Sequence, residues 1–135
     1  MATLIDDRTR SVEALRGYLE DHDSRYLAEN ASFTDVTTGM TWAGREAIGA
    51  MLGWMYHSVF EAHVEDTRLI VAAEGDAAVA EMTFVGIHQG DFAGIPATGR
   101  EIRVPLVVSY DLADGLITAA RVHFNVASFQ AQATA

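Results

Sequence analysis

Apolar residues recur along this chain first at helical spacing and then in alternation, and the change falls near His63. Val12, Leu15 and Leu19 stand at i, i+3 and i+7 with Glu and Arg opposite, which predicts a first helix over Asp6–Asp21. At the Asp21-His22-Asp23-Ser24 break, Asp23 or Ser24 can cap a short second helix from about Ser24 to Glu29. Ala31 to Val36 alternates as a brief strand that stops before Thr37-Thr38-Gly39. Ile48, Met51, Leu52, Met55 and Val59 form one stripe, predicting a third helix from Arg45 to about Phe60. Gly49 and Gly53 lie inside it, each costing about 1 kcal/mol against Ala, and leave room for close packing.

Beyond the change of period, strands are expected at about Ala62–Ala73, Ala77–His88, Glu101–Leu112 and Leu116–Val126. Turns at Glu74-Gly75-Asp76 and Asp114-Gly115 connect two of the pairs. The middle pair is joined by His88 to Arg100, where glycines and Pro96 permit a folded arm and break regular structure. The final Ala127 to Ala135 is small and polar and is expected to fray. Helices followed by a meander of long strands is an α+β pattern, in which the helices pack on one face of an antiparallel sheet. Such strands should curl around the third helix and leave a cavity at the open end.

Composition narrows the possibilities. The 135 residues make a chain of ordinary single-domain size, 50% hydrophobic and 21% charged, which is a globular profile. A net charge of −10 argues against nucleic acid or an anionic membrane as partner, because both are bound through clustered cations. Without cysteine there is no disulfide, thiolate nucleophile or thiolate metal site. Met1 to Arg10 lacks an apolar signal core, and no run of about 18 apolar residues occurs, so a cytoplasmic protein is expected. His63, His88 and His123 fall on separate strands without ligand-spaced partners, so no metal is expected.

Strand alternation then indicates what faces a cavity. Ala78, Ala80, Met82, Phe84 and His88 share one face, as do Ile102, Val104, Leu106, Val108 and Tyr110 on the next strand. On the last strand Val122, Phe124 and Val126 oppose Arg121, His123 and Asn125, and the pattern leaves either face inward. Trp42, Trp54, Met51, Met55 and Phe84 could form a wall for a flat molecule, while Tyr18 and Tyr110 could supply hydroxyl donors.

The run Gly86-Ile87-His88-Gln89-Gly90-Asp91-Phe92-Ala93-Gly94-Ile95-Pro96-Ala97-Thr98-Gly99-Arg100, with Leu112-Ala113-Asp114-Gly115-Leu116-Ile117 after it, resembles the signature of SnoaL-like polyketide cyclases and ester cyclases. Ala43-Gly44-Arg45-Glu46-Ala47-Ile48 resembles that family's entry to its third helix, and the likeness extends from about Ser32 to Gln132. The family lies in the nuclear-transport-factor-2-like superfamily, with ketosteroid isomerase, limonene-epoxide hydrolase and scytalone dehydratase. The resemblance implies a cone-shaped α+β barrel, a curved antiparallel sheet wrapped around the N-terminal helices. It also implies a cofactor-independent enzyme whose acidic base removes a proton beside a carbonyl, so that the enolate closes a ring.

In two places the chain departs from that pattern. Ile102 to Tyr110 carries no acidic residue and has Pro105 in its middle, and Asn125 stands where relatives often have Asp. Asp35 is the expected replacement, because Phe33-Thr34-Asp35-Val36-Thr37-Thr38-Gly39 resembles the ketosteroid isomerase segment that carries the proton-shuttling Asp. An Asx-turn with Thr37 or Thr38 is the plain structural reading of the same residue. His88 is the second catalytic candidate, as oxyanion donor or base, and Asp91 reads as a solvated loop residue.

The resulting expectation is a cofactor-free cyclase or isomerase acting on a polyketide-like or other apolar polycyclic carbonyl compound, as a homodimer formed through the exposed sheet face. Asp35 and His88 are the catalytic residues, and Trp54, Met51, Met55, Phe84, Tyr110, His123 and Asn125 contact the substrate. Two alternatives are an epoxide hydrolase or epoxide-opening cyclase, disfavoured by an Arg103 without flanking Asp, and a non-catalytic module for an apolar ligand.

Overall fold

In the computed structural model, residues 6–135 are described, so Met1–Ile5 of the stretch read for a signal lies outside the described residues. Helix α1 (Asp7–Asp21) begins where the Asp6 carboxylate accepts the Thr9 N–H and ends at His22 in the left-handed region. A 3₁₀ turn (Ser24–Tyr26) leads into β1 (Leu27–Asp35). The expected second helix is therefore one turn only. Leu27, Ala31 and Phe33 are buried from the strand face, and pairing with β6 outweighs the local helical spacing.

Strand β2 (Thr41–Ala43) returns along β1, and α2 (Arg45–Gly53) then runs into a π-helical turn (Trp54–Val59). The third helix is thus α-helical for little more than half its expected length. No atom approaches the places where Gly49 and Gly53 would carry a Cβ, so neither serves close packing. Gly90 does: its added Cβ would lie 3.1 Å from the Val59 Cα. From that position Gln89 and Gly90 each donate a backbone N–H to the Val59 carbonyl at 2.9 Å, and the Gln89 side chain donates to the His57 carbonyl. The π turn's loose carbonyls are thereby satisfied by the glycine-rich arm.

Four long strands follow, β3 (Phe60–Val71), β4 (Ala77–His88), β5 (Glu101–Ala113) and β6 (Leu116–Phe124). The sheet order is β2-β1-β6-β5-β4-β3, curved and unclosed, with β2 and β3 as its edges. It is a mixed sheet: β1 and β6 run parallel, and the other neighbours are antiparallel as expected. The arm between β4 and β5 closes on a two-residue turn, with Ala93 and Gly94 both at positive φ and Phe92 bridged to Ile95.

The chain end does not fray. Asn125 accepts the Ser128 N–H and caps α3 (Val126–Ala133), whose Phe129 is fully buried. Pro105 is tolerated in β5 because it lies where β6 ends: its carbonyl accepts from Asn125, and its missing N–H deprives no strand of a partner. The concave face of the sheet buries Phe84, Val104 and Tyr110 against Leu15 and Tyr18 of α1 and Ile48 of α2. Phe60, Phe84, Phe92, Phe124 and Phe129 form an aromatic core, with most ring centroids between 5.2 and 5.6 Å apart. No helix among the described residues is long and apolar enough to cross a membrane.

Candidate functional site

Two adjoining cavities occupy the space between helices and sheet. The outer one, of about 340 Å³, lies between the end of β1, the π turn and the glycine-rich arm. Trp42, Trp54 and Phe92 give it aromatic walls, and Met40 and Trp54, both about half exposed, make its mouth apolar. Its polar lining is Asp35, Thr37, Thr38 and Asp91. Asp91, expected as a solvated loop residue, is exposed and also stands on this wall.

Asp35 sits where β1 breaks into a turn, and the turn fixes its carboxylate. Oδ1 accepts the Thr37 N–H at 3.1 Å and Oδ2 accepts the Thr38 hydroxyl at 2.9 Å. The Asx-turn reading and the cavity-wall reading thus hold together. Each oxygen keeps a lone pair beyond those bonds, so the carboxylate can still accept a proton from a molecule in the cavity.

The inner cavity, of about 70 Å³, shares Met51, Met55, Val122 and Phe124 with the outer one. Its lining includes Phe84 and four polar groups from separate elements: Tyr18 of α1, His22 at its cap, Tyr56 of the π turn and Tyr110 of β5. Burial holds the Tyr18, Tyr56 and Tyr110 phenols well above their ordinary range, with Tyr110 and Tyr56 adding to the effect on Tyr18, and Tyr56 to that on Tyr110. Burial also pushes His22 down from 6.5 to about 4, against the pull of Asp21. The inner wall is therefore uncharged at neutral pH.

Of the residues expected at the site, Trp54 is on the outer cavity, Phe84 and Tyr110 are on the inner one, and Met51 and Met55 border both. His88, expected at the mouth, lines neither of these cavities. It is fully buried, its Nδ1 lies 2.9 Å from the Thr98 hydroxyl, and its ring packs 5.5 Å from Phe60 and 4.9 Å from Phe129. The strand face does point inward there, but α3 and the arm seal it. His123 and Asn125 are likewise corrected: both are exposed and outside the cavities, because Val122 and Phe124 take the inward face of β6. Arg121 on the same outer face pairs with Asp111 at 2.8 Å, and Arg103 pairs with Glu65 at 3.2 Å.

Two polar residues of the inner lining, His22 and Tyr56, carry little sequence signal. His22 looked like part of a polar break, and its only signal is its place one residue past the end of a helical stripe. Tyr56 stands four residues after Leu52, which marks the same helix face, but the π turn that aims it left no sequence signal. Among the described residues no group of three His, Cys, Asp or Glu side chains is arranged to hold a metal ion.

Comparison with known proteins fits this architecture. A protein from Xanthomonas campestris pv. campestris, described provisionally as a polyketide cyclase, shares the fold at a TM-score of 0.83 and 24% identity over 95% of this chain and 99% of that one. IdmH from Streptomyces antibioticus, also provisionally a polyketide cyclase, gives 0.71 and 19% over 93% and 99%. A Catenulispora acidiphila protein of ketosteroid isomerase-like fold, solved in complex with trimethylamine, gives 0.70 and 21% over 92% of each. No functionally curated protein matches the chain. Identities this low establish a common fold and leave activity open. The family model for SnoaL-like polyketide cyclase matches residues 9–133, and the chain belongs to that family.

Proposed function

We propose that this chain is a cofactor-independent cyclase or isomerase acting on an apolar, polyketide-like carbonyl compound, with Asp35 as general base. The observation that carries this reading is the Asp35 carboxylate, fixed by its own turn where Asp91 has no such bonds among the described residues, on the wall of a cavity that is otherwise largely aromatic and thioether. A flat apolar molecule filling that space displaces water from Asp35, and desolvation raises the basicity of a carboxylate. Asp35 then takes the proton beside a carbonyl, the enolate carbon attacks a second carbonyl of the same molecule, and the resulting alkoxide takes the proton back. In the isomerase form the proton returns to another carbon.

The test is turnover and binding measured together, for wild type and Asp35→Asn, against polyketide-like, steroid-like and epoxide compounds. Turnover lost in Asp35→Asn with binding retained supports a carboxylate base. Binding equal in both proteins, with turnover in neither, favours the second reading, a non-catalytic module for an apolar ligand. That reading draws support from the positions of His88, His123 and Asn125 outside the cavities. Epoxide hydrolysis draws none, since Arg103 is engaged on the outer face with Glu65.

The proposal includes a homodimer through the outer sheet face, where Val79, Val107 and the half-exposed Ile70 and Ile87 sit among the pairs Arg68–Glu81 and Glu65–Arg103. Light scattering should give twice the chain mass for wild type and a monomer for Val107→Glu. A wild-type monomer refutes this part.

A further inference from the structure

The inner chamber has no part in the proton transfer assigned to Asp35, yet it is the place where polar tips converge. Tyr18 and Tyr110 stand with ring centroids 6.2 Å apart, and the His22 ring lies 5.1 Å from Tyr18 and 4.6 Å from Tyr56. Each of the three tyrosines is at least nine-tenths buried, and burial, joined by neighbouring phenols at Tyr18 and Tyr110, raises their pKa values with no hydrogen bond involved. Among the described residues the one wholly enclosed side-chain N or O without a partner is His88 Nε2. The three phenolic oxygens find no partner among the described residues and are not wholly enclosed, and all three tyrosines line the chamber. Unpaired hydroxyls in apolar surroundings are costly, and an acceptor entering the chamber offers them a partner.

The chemistry of that acceptor follows from the walls. No charged side chain lines the chamber, and His22 is neutral above its depressed value of about 4, so an anionic group would enter without a counter-charge. A neutral oxygen, with two lone pairs, suits a pair of O–H donors. Met51 and Met55, on the partition to the outer cavity, are unbranched chains that can change rotamer and connect the two spaces.

We propose that the inner chamber is an anchoring subsite for a neutral hydrogen-bond-accepting oxygen at the end of an elongated apolar ligand, held by Tyr18 and Tyr110 with Tyr56 beside them. The ligand passes the Met51 and Met55 side chains, and its ring body lies in the outer cavity. Tyr18, Tyr56 and Tyr110 are positioning residues, which set how far along the cavity a molecule sits and so which of its carbons faces Asp35. This inference rests on the outer cavity being a ligand site.

The probe is 6-propionyl-2-(dimethylamino)naphthalene, a ketone whose emission moves to the red when its carbonyl accepts a hydrogen bond. Trp42 and Trp54 line the outer cavity and report entry through loss of their own emission. Wild type should quench on binding and show red-shifted probe emission. Tyr18→Phe and Tyr110→Phe should each bind about 3- to 10-fold more weakly, with emission moved to the blue. The 6-propyl analogue, which lacks the carbonyl, should bind all three proteins alike. Thermal midpoints of the Phe variants should be no lower than wild type, since no protein hydrogen bond is removed; two separate variants guard against one misfolding. Unchanged emission and affinity in both variants, with tryptophan quenching intact, would overturn the anchoring subsite and leave the outer cavity standing. Absence of quenching in wild type would remove the cavity as a ligand site and the anchor with it. Loss of turnover in Asp35→Asn is read separately and tests the base, not the anchor.

Discussion

The Gln132 side chain takes the place of a missing strand beside Arg103. Its Oε1 accepts the Arg103 N–H at 2.8 Å and its Nε2 donates to the Arg103 carbonyl at 2.7 Å, past the point where β6 stops at Phe124. The amide thus reproduces both bonds of a ladder and ties α3 to the sheet. Gln132→Ala leaves two backbone groups to water and should cost about 1–2 kcal/mol in urea unfolding. Hydrogen exchange in α3 should accelerate in the same variant.

Gly75 holds the start of α1 on the turn between β3 and β4. Its φ is +74°, and an added Cβ would lie 2.6 Å from the Arg8 N and the Asp7 carbonyl carbon. Both obstacles are backbone, so neither can move away cheaply. Gly75→Ala should destabilise by about 1–3 kcal/mol, read from the denaturant midpoint. Gly49→Ala, in a helix with open space around it, should instead stabilise slightly.

His22 gives the fold an acid-sensitive window. The groups facing it are Tyr18 and Tyr56 on its ring, with Asp21 raising its pKa and His57 lowering it. Its folded value, about 4, lies below the unfolded 6.5, so the unfolded chain binds the proton more readily between those values. Stability should therefore be full above about pH 6.5 and fall as pH drops toward 4. His22→Phe should flatten unfolding curves across that interval. Asp6, Glu65 and Asp111, whose values are lowered by their hydrogen-bond donors, act at lower pH and should still destabilise the variant there.

His88 is expected to matter for packing and not for ligand binding. His88→Ala should cost about 2–4 kcal/mol, in line with emptying an aromatic-sized space between Phe60 and Phe129. His88→Phe, which removes the unpartnered Nε2 along with the Thr98 bond, should cost less than about 1.5 kcal/mol. Affinity for the naphthyl ketone should stay within twofold of wild type in both. A tenfold loss in the well-folded His88→Phe would return His88 to the site.

Much of this architecture was legible in the residues themselves. The alternation of Ala78 to His88 and of Ile102 to Tyr110 placed the inward faces correctly, since a one-residue slip would expose every apolar side chain. What misled were segments whose state depends on distant partners. Leu27–Asp35 became a strand because β6 pairs with it, and the small residues after Asn125 became a helix because Phe129 has an aromatic core to enter. His88 shows the limit of face arguments: the strand pattern says inward, but whether inward means cavity or packed core depends on what covers that end. The clustering of Tyr18, Tyr56 and Tyr110 needed three elements to meet, which no local pattern records.

The π turn at Trp54–Val59 changes how this cavity can be remodelled. A π turn carries an extra residue compared with an α turn, which slips the helix phase by about 100° per residue. The consecutive residues Trp54, Met55 and Tyr56 at its start line the outer cavity, the partition and the inner chamber respectively, and the extra residue sets the phase at which they stand relative to β3. The division of labour is therefore set by a residue count as well as by side-chain identity. Deleting Ser58 should pull the segment toward α geometry and swing Tyr56 off the inner wall with every wall-lining residue still present. Length variation over these six positions is a vernier for the cavity, able to reassign which side chain looks where without a single substitution.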